Sequence, residues 1–584
     1  MFEAVLIANR GEIAIRIARA CRELGVRSVG VYSEIDRDAP HVRACDEAYL
    51  LGAASPAESY LNIEKILHVA KEADVQAIHP GYGFLSENAT FAQAVTDAGF
   101  TFIGPPAAAI ETMGDKLSAR AVAVAAGVPV VPGTHEPTDD PEVAIAFGDE
   151  CGYPVAVKAM FGGGGRGMKV VYSANDMRDA LEAAGREAKV AFGRGECYLE
   201  RYLERPRHIE IQVLADLDGS MIYLGERDCS LQRRHQKLVE EAPAAGMTPE
   251  LRKRMGEAAL KVAQEMGYTN AGTCEFLLDN DGETFYFLEM NTRLQVEHPV
   301  TEMITGVDLA QAQLRIAAGD GMNMTQDDVQ ISGHAIEARI NAEEPAGGFM
   351  PTPGTITKLV PPLGPWVRFD TGAESGYEVP RDYDSMIAKL IVWAPTRDGA
   401  RARMSRALDE MVIDGIPTTA TFHKLAMTHE QFAAGEHSTN SVEKEWDLSG
   451  LEPQTSHALD SDTDTPKRDV TVEVNGRRLN VTVYGELAGA QANGNGKKKA
   501  RKARDARAIA VSSNDLVAPM QGTVVKLSVA VGDSVATGDT IAVLEAMKME
   551  NALKAHRDGV VTVLNANPGD VVESGAVIAS IGDA

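Results

Sequence analysis

Apolar and polar positions switch between two periods along the first hundred residues. Residues 4–9, "AVLIAN", form one apolar run, as expected of a strand buried on both faces. Over 12–24 the apolar positions Ile13, Ile17, Ala20 and Leu24 recur at helical spacing, and Gly25 supplies a stop. "VRSVGVYS" then reads as a strand, and the alternation continues through "VQAIHPGYG" and "FTFIGP". Strand and helix in turn predict an open, mostly parallel sheet, here assigned to residues 1–115.

The pattern changes further on. Around 130–205, strands flank a glycine cluster in "YPVAVKAMFGGGGRGMKVVY". The cluster fits Gly162-x-Gly164-x-x-Gly167, but a dinucleotide-binding motif opens a helix and "MKVVY" continues as a strand. A Walker P-loop is excluded because Met168 stands where its lysine should be. A glycine-rich hairpin remains, with backbone N–H groups free to close over phosphates; four successive glycines cost much backbone entropy otherwise. Strand patterns such as "IEIQVLAD" and "TFYFLEM" continue to about residue 446.

Beyond 447 the periodicity decays. "VTVEVNGRRLNVTVYGEL" alternates as a hairpin around Asn475-Gly476. Residues 491–508, "QANGNGKKKARKARDARA", cannot bury a core and read as a basic flexible tether. The last segment is a repeat. Residues 518–544 overlay 555–581 without a gap, with identities that include Ala518/Ala555, Gly522/Gly559, Val524/Val561, Gly532/Gly569, Gly538/Gly575 and Ile541/Ile578. Two similar halves of four strands each predict a flattened β-barrel with quasi-twofold symmetry. Between the halves lies "EAMKMEN", which puts Lys548 on an exposed connecting turn of a small rigid body. That placement suits a lysine bearing a prosthetic group on a swinging arm.

Composition narrows the picture. The chain has 584 residues, more than one core can serve. Its net charge of −27 disfavours nucleic acid as a partner. The six cysteines, Cys21, Cys45, Cys151, Cys197, Cys229 and Cys274, form no CxxC pair. This argues against a zinc site or disulfide framework and fits a reducing cytosol. The opening segment lacks a signal-peptide pattern, and the absence of a long apolar stretch predicts no membrane span. "AHRDG" at 555–559 mimics a kinase motif but lies inside the repeat and lacks the required asparagine.

The richest chemistry lies in "CEFLLDNDGETFYFLEMNTRLQVEH", residues 274–298. A hairpin turning near Asp281 is expected to put Glu275 opposite Phe287, on the face of Glu289. If the chain stays extended, Glu289, Asn291, Arg293, Gln295 and Glu297 share that face. Glu275, Glu289 and Asn291 offer hard oxygen ligands suited to Mg²⁺ with a nucleotide. Arg293 and Gln295 suit a small planar oxyanion, and Glu297 beside cations is a candidate general base. "LQRRHQKLVEE" adds Gln232, His235 and Lys237, "HAIEARINAE" adds Arg339, and Lys116 and Lys158 are candidates to neutralise phosphate oxygens.

Two resemblances follow. Ala546-Met547-Lys548-Met549 is similar to the attachment signature of the biotin carboxyl carrier domain, whose fold lipoyl domains share. "ANRGEIA", "HPGYGFLSEN", "GGGGRGM", "RHIEIQ", "ERDCSLQRRHQK" and "EMNTRLQVEHPVTE" resemble biotin carboxylase of the ATP-grasp superfamily, over about 1–446. With the carrier at the C-terminal end, the chain resembles the α-subunit of actinobacterial-type acyl-CoA carboxylases. "KAMFGGGG" departs from the pattern, with Met160 and Phe161 where small residues are usual.

The resemblance implies an α/β and α+β fold in six parts. They are the biotin carboxylase N-terminal α/β domain (1–115), an ATP-grasp region with a mobile glycine-rich lid near 130–205 (116–330) and the C-terminal mixed domain (331–446). A small β-hairpin connector with a possible subunit-docking role (447–490), a flexible basic linker (491–512) and an all-β flattened carrier barrel of the biotinyl/lipoyl type (513–584) follow. ATP is then expected at Lys116, Lys158, Gly162, Gly163, Gly164, Gly165, Arg166, Gly167, Glu200, Leu203, His208, Gln232, His235, Glu275, Leu277 and Glu289. Mg²⁺, or Mn²⁺ in its place, is expected at Glu275, Glu289 and Asn291. Bicarbonate falls to Lys237, Arg293, Gln295 and the Val296 N–H. Glu297 is the implied base and Arg339 the stabiliser of the biotin enolate; Lys237 and Arg293 complete the implied catalytic set.

The implied reaction is a ligase reaction. Bicarbonate deprotonated by Glu297 attacks the γ-phosphate of ATP, carboxyphosphate releases CO₂ in a dry pocket, and biotin on Lys548 captures it. A separate carboxyltransferase β-subunit is implied, since 447–512 is too short for an acyl-CoA site. Malonyl-CoA or methylmalonyl-CoA would be the product, in the acetyl-/propionyl-CoA carboxylase manner of fatty acid biosynthesis. A biotin protein ligase, a homo-oligomer within a larger α/β complex and a cytoplasmic location are implied too, with neither nucleic acid nor membrane as partner. The alternatives are a subunit serving another acceptor (pyruvate or another acyl-CoA) and a biotinylated scaffold with an inactive ATP site.

Overall fold

The computed structural model describes all residues except 135, 160–167, 193–196, 455–466, 475–476, 485–513, 519–521, 547–548, 573–574 and 583–584. Two compact units divide the chain, Met1–Gln454 and Thr455–Ala584.

The first unit opens with β1 (Ala4–Ile7), β2 (Arg27–Ser33), β3 (Glu47–Gly52), β4 (Ala77–His79) and β5 (Thr101–Phe102). They form one sheet in the order β3-β2-β1-β4-β5, every pair parallel. The predicted first helix is α1 (Gly11–Glu23), with Ile13, Ile17 and Ala20 buried, and Gly25 takes the left-handed φ of +71° expected of a helix stop. Strand order reverses between β1 and β4, which opens a crevice at their carboxyl ends. Asn9 closes its floor by donating to the carbonyls of Pro80 and Tyr82 at 2.7 and 2.8 Å.

A three-stranded sheet follows, built from β6 (Val155–Ala159), β7 (Met168–Val171) and β8 (Cys197–Arg201) in the order β7-β6-β8. β6 and β7 are antiparallel with Lys158 opposite Met168, so "MKVVY" does resume as a strand. The glycine run between them lies outside the described residues. This sheet has its own small core, including Val155, Val157, Val171, Leu181 and Leu199.

The centre of the unit is an eight-stranded sheet. Its strands include β9 (Arg207–Ala215), β10 (Met221–Arg233), β11 (Gln236–Ala242), β12 (Asn270–Leu278), β13 (Phe285–Asn291) and β14 (His334–Asn341). The order is β13-β12-β9-β10-β11-β14, continued by the strands Met386–Ala394 and Val367–Thr371. The sheet therefore runs without a break across position 330. Helix Pro249–Glu265 packs on it through Leu251, Met255, Ala259 and Val262, spaced at three and four residues.

The second unit contains the expected hairpin, Lys467–Val474 against Arg477–Tyr484, with Asn475-Gly476 itself outside the described residues. Its barrel has two four-stranded sheets. Strand Gly522–Leu527 repeats as Gly559–Leu564, and Ser534–Val535 as Val571–Val572. Hydrogen bonds repeat as well: Val524 N to Asp570 O and Val561 N to Asp533 O are both 2.9 Å. Gly532 and Gly569 adopt φ of +100° and +96° at equivalent turns. Lys548 and the 491–512 tether lie outside the described residues. Ala546 pairs with Met549 across two antiparallel strands.

Candidate active site

The site grows from a row of polar residues on strands that otherwise bury apolar ones. On β9, His208, Glu210 and Gln212 alternate with Ile209, Ile211 and Val213, and all six are buried. Alternation turns the polar set to one face of the sheet. Neighbouring strands add Arg227 and Gln232 from β10, Lys237 and Glu240 from β11, Glu275 from β12, and Glu337 and Arg339 from β14.

Lys237 is the hub of this face. Its ammonium donates to Glu275 Oε1 at 3.0 Å and Glu297 Oε1 at 2.8 Å, and also to Glu210. Arg339 grips the other oxygen of Glu297 at 2.8 Å and Glu240 at 2.5 Å. Burial would lift the Glu297 carboxyl, but Lys237, Arg339 and Arg227 outweigh it and hold the group well below the usual carboxylate range. Burial would also discharge Lys237, and Glu210, Glu275 and Glu297 reverse that, raising it well above an ordinary lysine. Glu210 differs: burial comes first and pushes its carboxyl up to about 7, against the pull of Lys237. Carboxyls in one cluster thus have opposed proton affinities, an arrangement typical of reacting sites.

The hairpin register departs from the expectation. Glu275 lies opposite Glu289 rather than Phe287; a bulge between Glu275 and Phe276 then puts Phe276 opposite Phe287. One inserted residue changes the pairing on one side of a bulge, and counting from the turn could not reveal it. The result brings the two proposed metal ligands directly across from each other. Nor does the chain stay extended to Glu297. β13 ends at Asn291, and Glu297 is the N-cap of helix His298–Thr305. A proline at the first helical turn, Pro299, favours that switch. Arg293, Gln295 and Glu297 reach the site from a turn, not from alternation along a strand.

Within that turn, Arg293 donates to Glu87 at 2.8 Å, to Gln295 Oε1 at 3.1 Å and to Asn291 Oδ1 at 3.1 Å. Asn291 and Gln295 donate in turn to Glu275 Oε1 at 2.7 and 3.1 Å. Asn291 thus offers Glu275 its nitrogen while its oxygen meets Arg293. Val296 places its carbonyl on Lys389 at 2.7 Å. His208 Nε2 stands 2.9 Å from Glu275 Oε2. Gln232 is buried and pairs across the strands with Lys237. His235 sits exposed at the tip of the β10–β11 turn with φ of +64°.

The donor set fits a divalent cation. Glu275 and Glu289 face one another with oxygen donors only, and Glu289 forms no hydrogen bond or ion pair with the described residues. Burial and then the Glu275 charge raise the Glu289 carboxyl, a mismatch that a bound cation would relieve. Beside them Lys116, Glu289, Asn291 and Glu87 line a cavity of about 210 Å³. Lys158 is ion-paired with Glu200. Leu203 packs with Val131 and Tyr286, and Leu277 lies against that cluster, which suits a flat apolar base. Residues 162–167 are outside the description. Glu210, Arg227, Glu240, Glu87 and Lys389 were not anticipated; the charged i, i+2 spacing in "RHIEIQ" was the available signal for the first.

Comparison with known proteins shows the family of the chain. Residues 1–110 match the family described as "Biotin carboxylase, N-terminal domain", and 115–325 match "Carbamoyl-phosphate synthase L chain, ATP binding domain". Residues 337–444 match "Biotin carboxylase C-terminal domain", and 514–581 match "Biotin-requiring enzyme". The biotin-dependent acyl-coenzyme A carboxylase alpha3 subunit of Mycobacterium leprae is 48% identical over 589 residues, 99% of this chain and 98% of that protein. The chain belongs to the biotin-dependent acyl-CoA carboxylase α-subunit family. Its biotin carboxylase portion is also 54% identical to a pyruvate carboxylase subunit from Methanothermobacter thermautotrophicus, over 76% of this chain and 90% of that one. Among solved structures, the biotin carboxylase domain of a thermophilic 2-oxoglutarate carboxylase bound to bicarbonate superposes with a TM-score of 0.73 at 48% identity, covering 76% of this chain and 98% of that one. A biotin carboxylase subunit of pyruvate carboxylase gives 0.73 at 49% identity, over 77% of this chain and 100% of that one. Biotin and ATP, with Mg²⁺, are the cofactors that accompany membership of this family. Among the described residues no helix is long and apolar enough to cross a membrane.

Proposed function

We propose that this α-subunit uses ATP to fix bicarbonate onto biotin carried by Lys548, for delivery to a separate carboxyltransferase β-subunit that works on acetyl-CoA or propionyl-CoA. The observation that carries the catalytic part is Glu297, whose two oxygens are bound by Lys237 and Arg339. A carboxylate so held is ionised at neutral pH and can accept a proton. It is a weak base while both cations grip it. An oxyanion entering between Lys237, Arg293 and the Val296 N–H would compete for Lys237, loosen its hold and raise the basicity of Glu297 as its proton comes within reach.

Glu275 and Glu289 would hold Mg²⁺, with Asn291 beside them; when bound, the ion supplies charge neutralisation for the phosphates. Lys116 and Lys158 would contribute fixed positive charge. Leu203 and Leu277 would receive the adenine, with Glu200 and the backbone near it, and residues 162–167 would cover the phosphates. Gln232 and His208 would pack beside Glu275, and His235 at the hairpin tip stands at the outer edge. Arg339 would neutralise negative charge developing on an acceptor ring. The chain's own work is to bind, to exclude water and to hold one proton at Glu297.

The acyl-CoA assignment rests on the relative that matches 99% of this chain, carrier included. The pyruvate and 2-oxoglutarate proteins match only the biotin carboxylase portion. The partners follow: a biotin protein ligase, a second copy of this chain and a β-subunit within a cytoplasmic complex. The test is isolation of the biotinylated protein with its β-subunit, then incubation with ATP, radiolabelled bicarbonate and a panel of acetyl-CoA, propionyl-CoA, pyruvate and 2-oxoglutarate. Label in a CoA thioester is the expected result; label in a 2-oxoacid alone would overturn the assignment.

A further inference from the structure

Beneath the bicarbonate turn lies a charged group that the reaction scheme leaves unused. Lys389, on the strand Met386–Ala394, is 0% exposed. Its ammonium donates to the carbonyl of Val296 at 2.7 Å and lies 3.3 Å from Glu12 Oε1 on α1. Lys389 stands opposite Arg339 across the β14 pairing. A fully buried lysine is rare unless its charge is satisfied. Its charge is met by the Val296 carbonyl and by Glu12, whose carboxyl burial pushes up to about 7 against the pull of Lys389.

The preceding carbonyl is tied as well. Gln295 O accepts from the His298 N–H at 3.3 Å and contacts the His298 ring Nδ1 at 2.8 Å. His298 is itself fully buried. Two successive carbonyls of the turn are thus anchored from below, one by a histidine of the same segment and one by a cation from the C-terminal part of the sheet. This turn carries Gln295, the Val296 N–H and Glu297. It has left β13 and not yet become helix, so no ladder of backbone bonds fixes it. The pull on its carbonyls orients both flanking peptide planes.

We propose that Lys389 is a positioning residue for bicarbonate: by holding the Val296 carbonyl it aims the Val296 N–H and the Glu297 carboxylate into the site, and Glu12 steadies its charge. The inference rests on the bicarbonate reading of residues 293–297. It assigns no contact between Lys389 and any substrate. Its signature is therefore selective. Loosening the turn weakens bicarbonate binding and leaves the ATP contacts on β8, β12 and the three-stranded sheet in place.

The test is steady-state ATP cleavage by the biotinylated full chain, titrated separately with bicarbonate and with ATP. In Lys389→Met/Glu12→Gln, which removes both charges together, the KM for bicarbonate should rise by about tenfold or more, the cost of losing a hydrogen bond to a charged group. The KM for ATP should stay within about twofold. Lys389→Arg, which keeps a charged donor, should recover most of the bicarbonate affinity. Glu12→Gln alone, which retains Lys389, should raise the bicarbonate KM by only about two- to threefold, and it serves as the reporter if the double variant does not fold. An unchanged bicarbonate KM in the folded double variant or, failing that, in Glu12→Gln, overturns the proposal. So does a parallel rise in both KM values. If the unsubstituted protein cleaves ATP with no dependence on bicarbonate, the underlying reading falls and this inference with it; bicarbonate dependence in the parent with indifferent variants removes Lys389 alone.

Discussion

The eight-stranded sheet and the carrier barrel are both β structures with well-filled cores, yet they use burial in opposite ways. In the barrel, Val524, Ile541, Ala542, Leu544, Val561, Ile578 and Ala579 are buried, and among its described residues no charged side chain is. In the sheet, Glu210, Arg227, Glu240, Glu337 and Lys389 are all fully buried, as is Glu297 on the turn that follows β13. An interior without charges costs nothing in desolvation and asks little of its neighbours beyond volume. A charged interior keeps its groups ionised only by mutual compensation, and removing one partner leaves another stranded. The barrel's described interior is apolar, whereas the sheet gathers its buried charges at the candidate site.

The largest effect is expected from Lys548→Arg, which should abolish incorporation of radiolabelled bicarbonate into protein while bicarbonate-dependent ATP cleavage persists at a slow rate. Retention of labelled protein would place the acceptor elsewhere and remove the barrel's role as carrier.

Next comes a charge inside the sheet. Glu241 accepts from Arg397 at 2.7 and 2.9 Å, and its Oε2 lies 2.7 Å from His334 Nε2. Burial would raise its carboxyl, but His334 and Arg397 outweigh this and lower it to about 2. A depressed carboxylate stabilises the fold fully above its unfolded value, near 4.3, and that contribution disappears as pH falls toward the folded value. Glu241→Gln should therefore cost about 3 kcal/mol at pH 7 and progressively less between about pH 4.3 and 2. Denaturant midpoints across that range check it; a penalty independent of pH would mean that packing, not charge, explains Glu241. The barrel should show no comparable term.

The smallest effect belongs to the barrel's repeat. Gly532 and Gly569 have φ of +100° and +96°, and an added Cβ at either would meet nothing within 4 Å. Gly532→Ala and Gly569→Ala should each cost about 1–2 kcal/mol through backbone conformation alone. Their penalties should agree closely, as measured by hydrogen exchange of barrel amides in the full chain. Unequal penalties would mean that the two halves are alike in sequence but not in energetics.

The same contrast decides what could be read in advance. The barrel's two halves were legible because one shift aligned Val524 with Val561 and Gly532 with Gly569, and apolar burial follows directly from such a pattern. The N-terminal sheet was legible for a similar reason, since α1 and its flanking strands obey local periods. Around Glu297 local rules failed. The bulge at Glu275 and Phe276 breaks the pairing counted from the turn near Asp281. The departure from strand geometry after Asn291 places Arg293 and Gln295 by hydrogen bonds to Glu87 and Glu275, which are remote in sequence. Lys389 sits in an unremarkable apolar run and Glu240 in the charged stretch "KLVEEA", and each gains meaning only when β11, β14 and the strand after them come together.

The central claim is that Glu297, held between Lys237 and Arg339, takes the proton from bicarbonate. The direct measurement is ATP cleavage by the biotinylated chain with and without bicarbonate, for the parent and for Glu297→Gln shown to be folded by its circular dichroism. The account predicts that the bicarbonate-stimulated rate falls by about 10²–10⁴-fold in the variant. Bicarbonate stimulation of Glu297→Gln at close to the parental rate would contradict it.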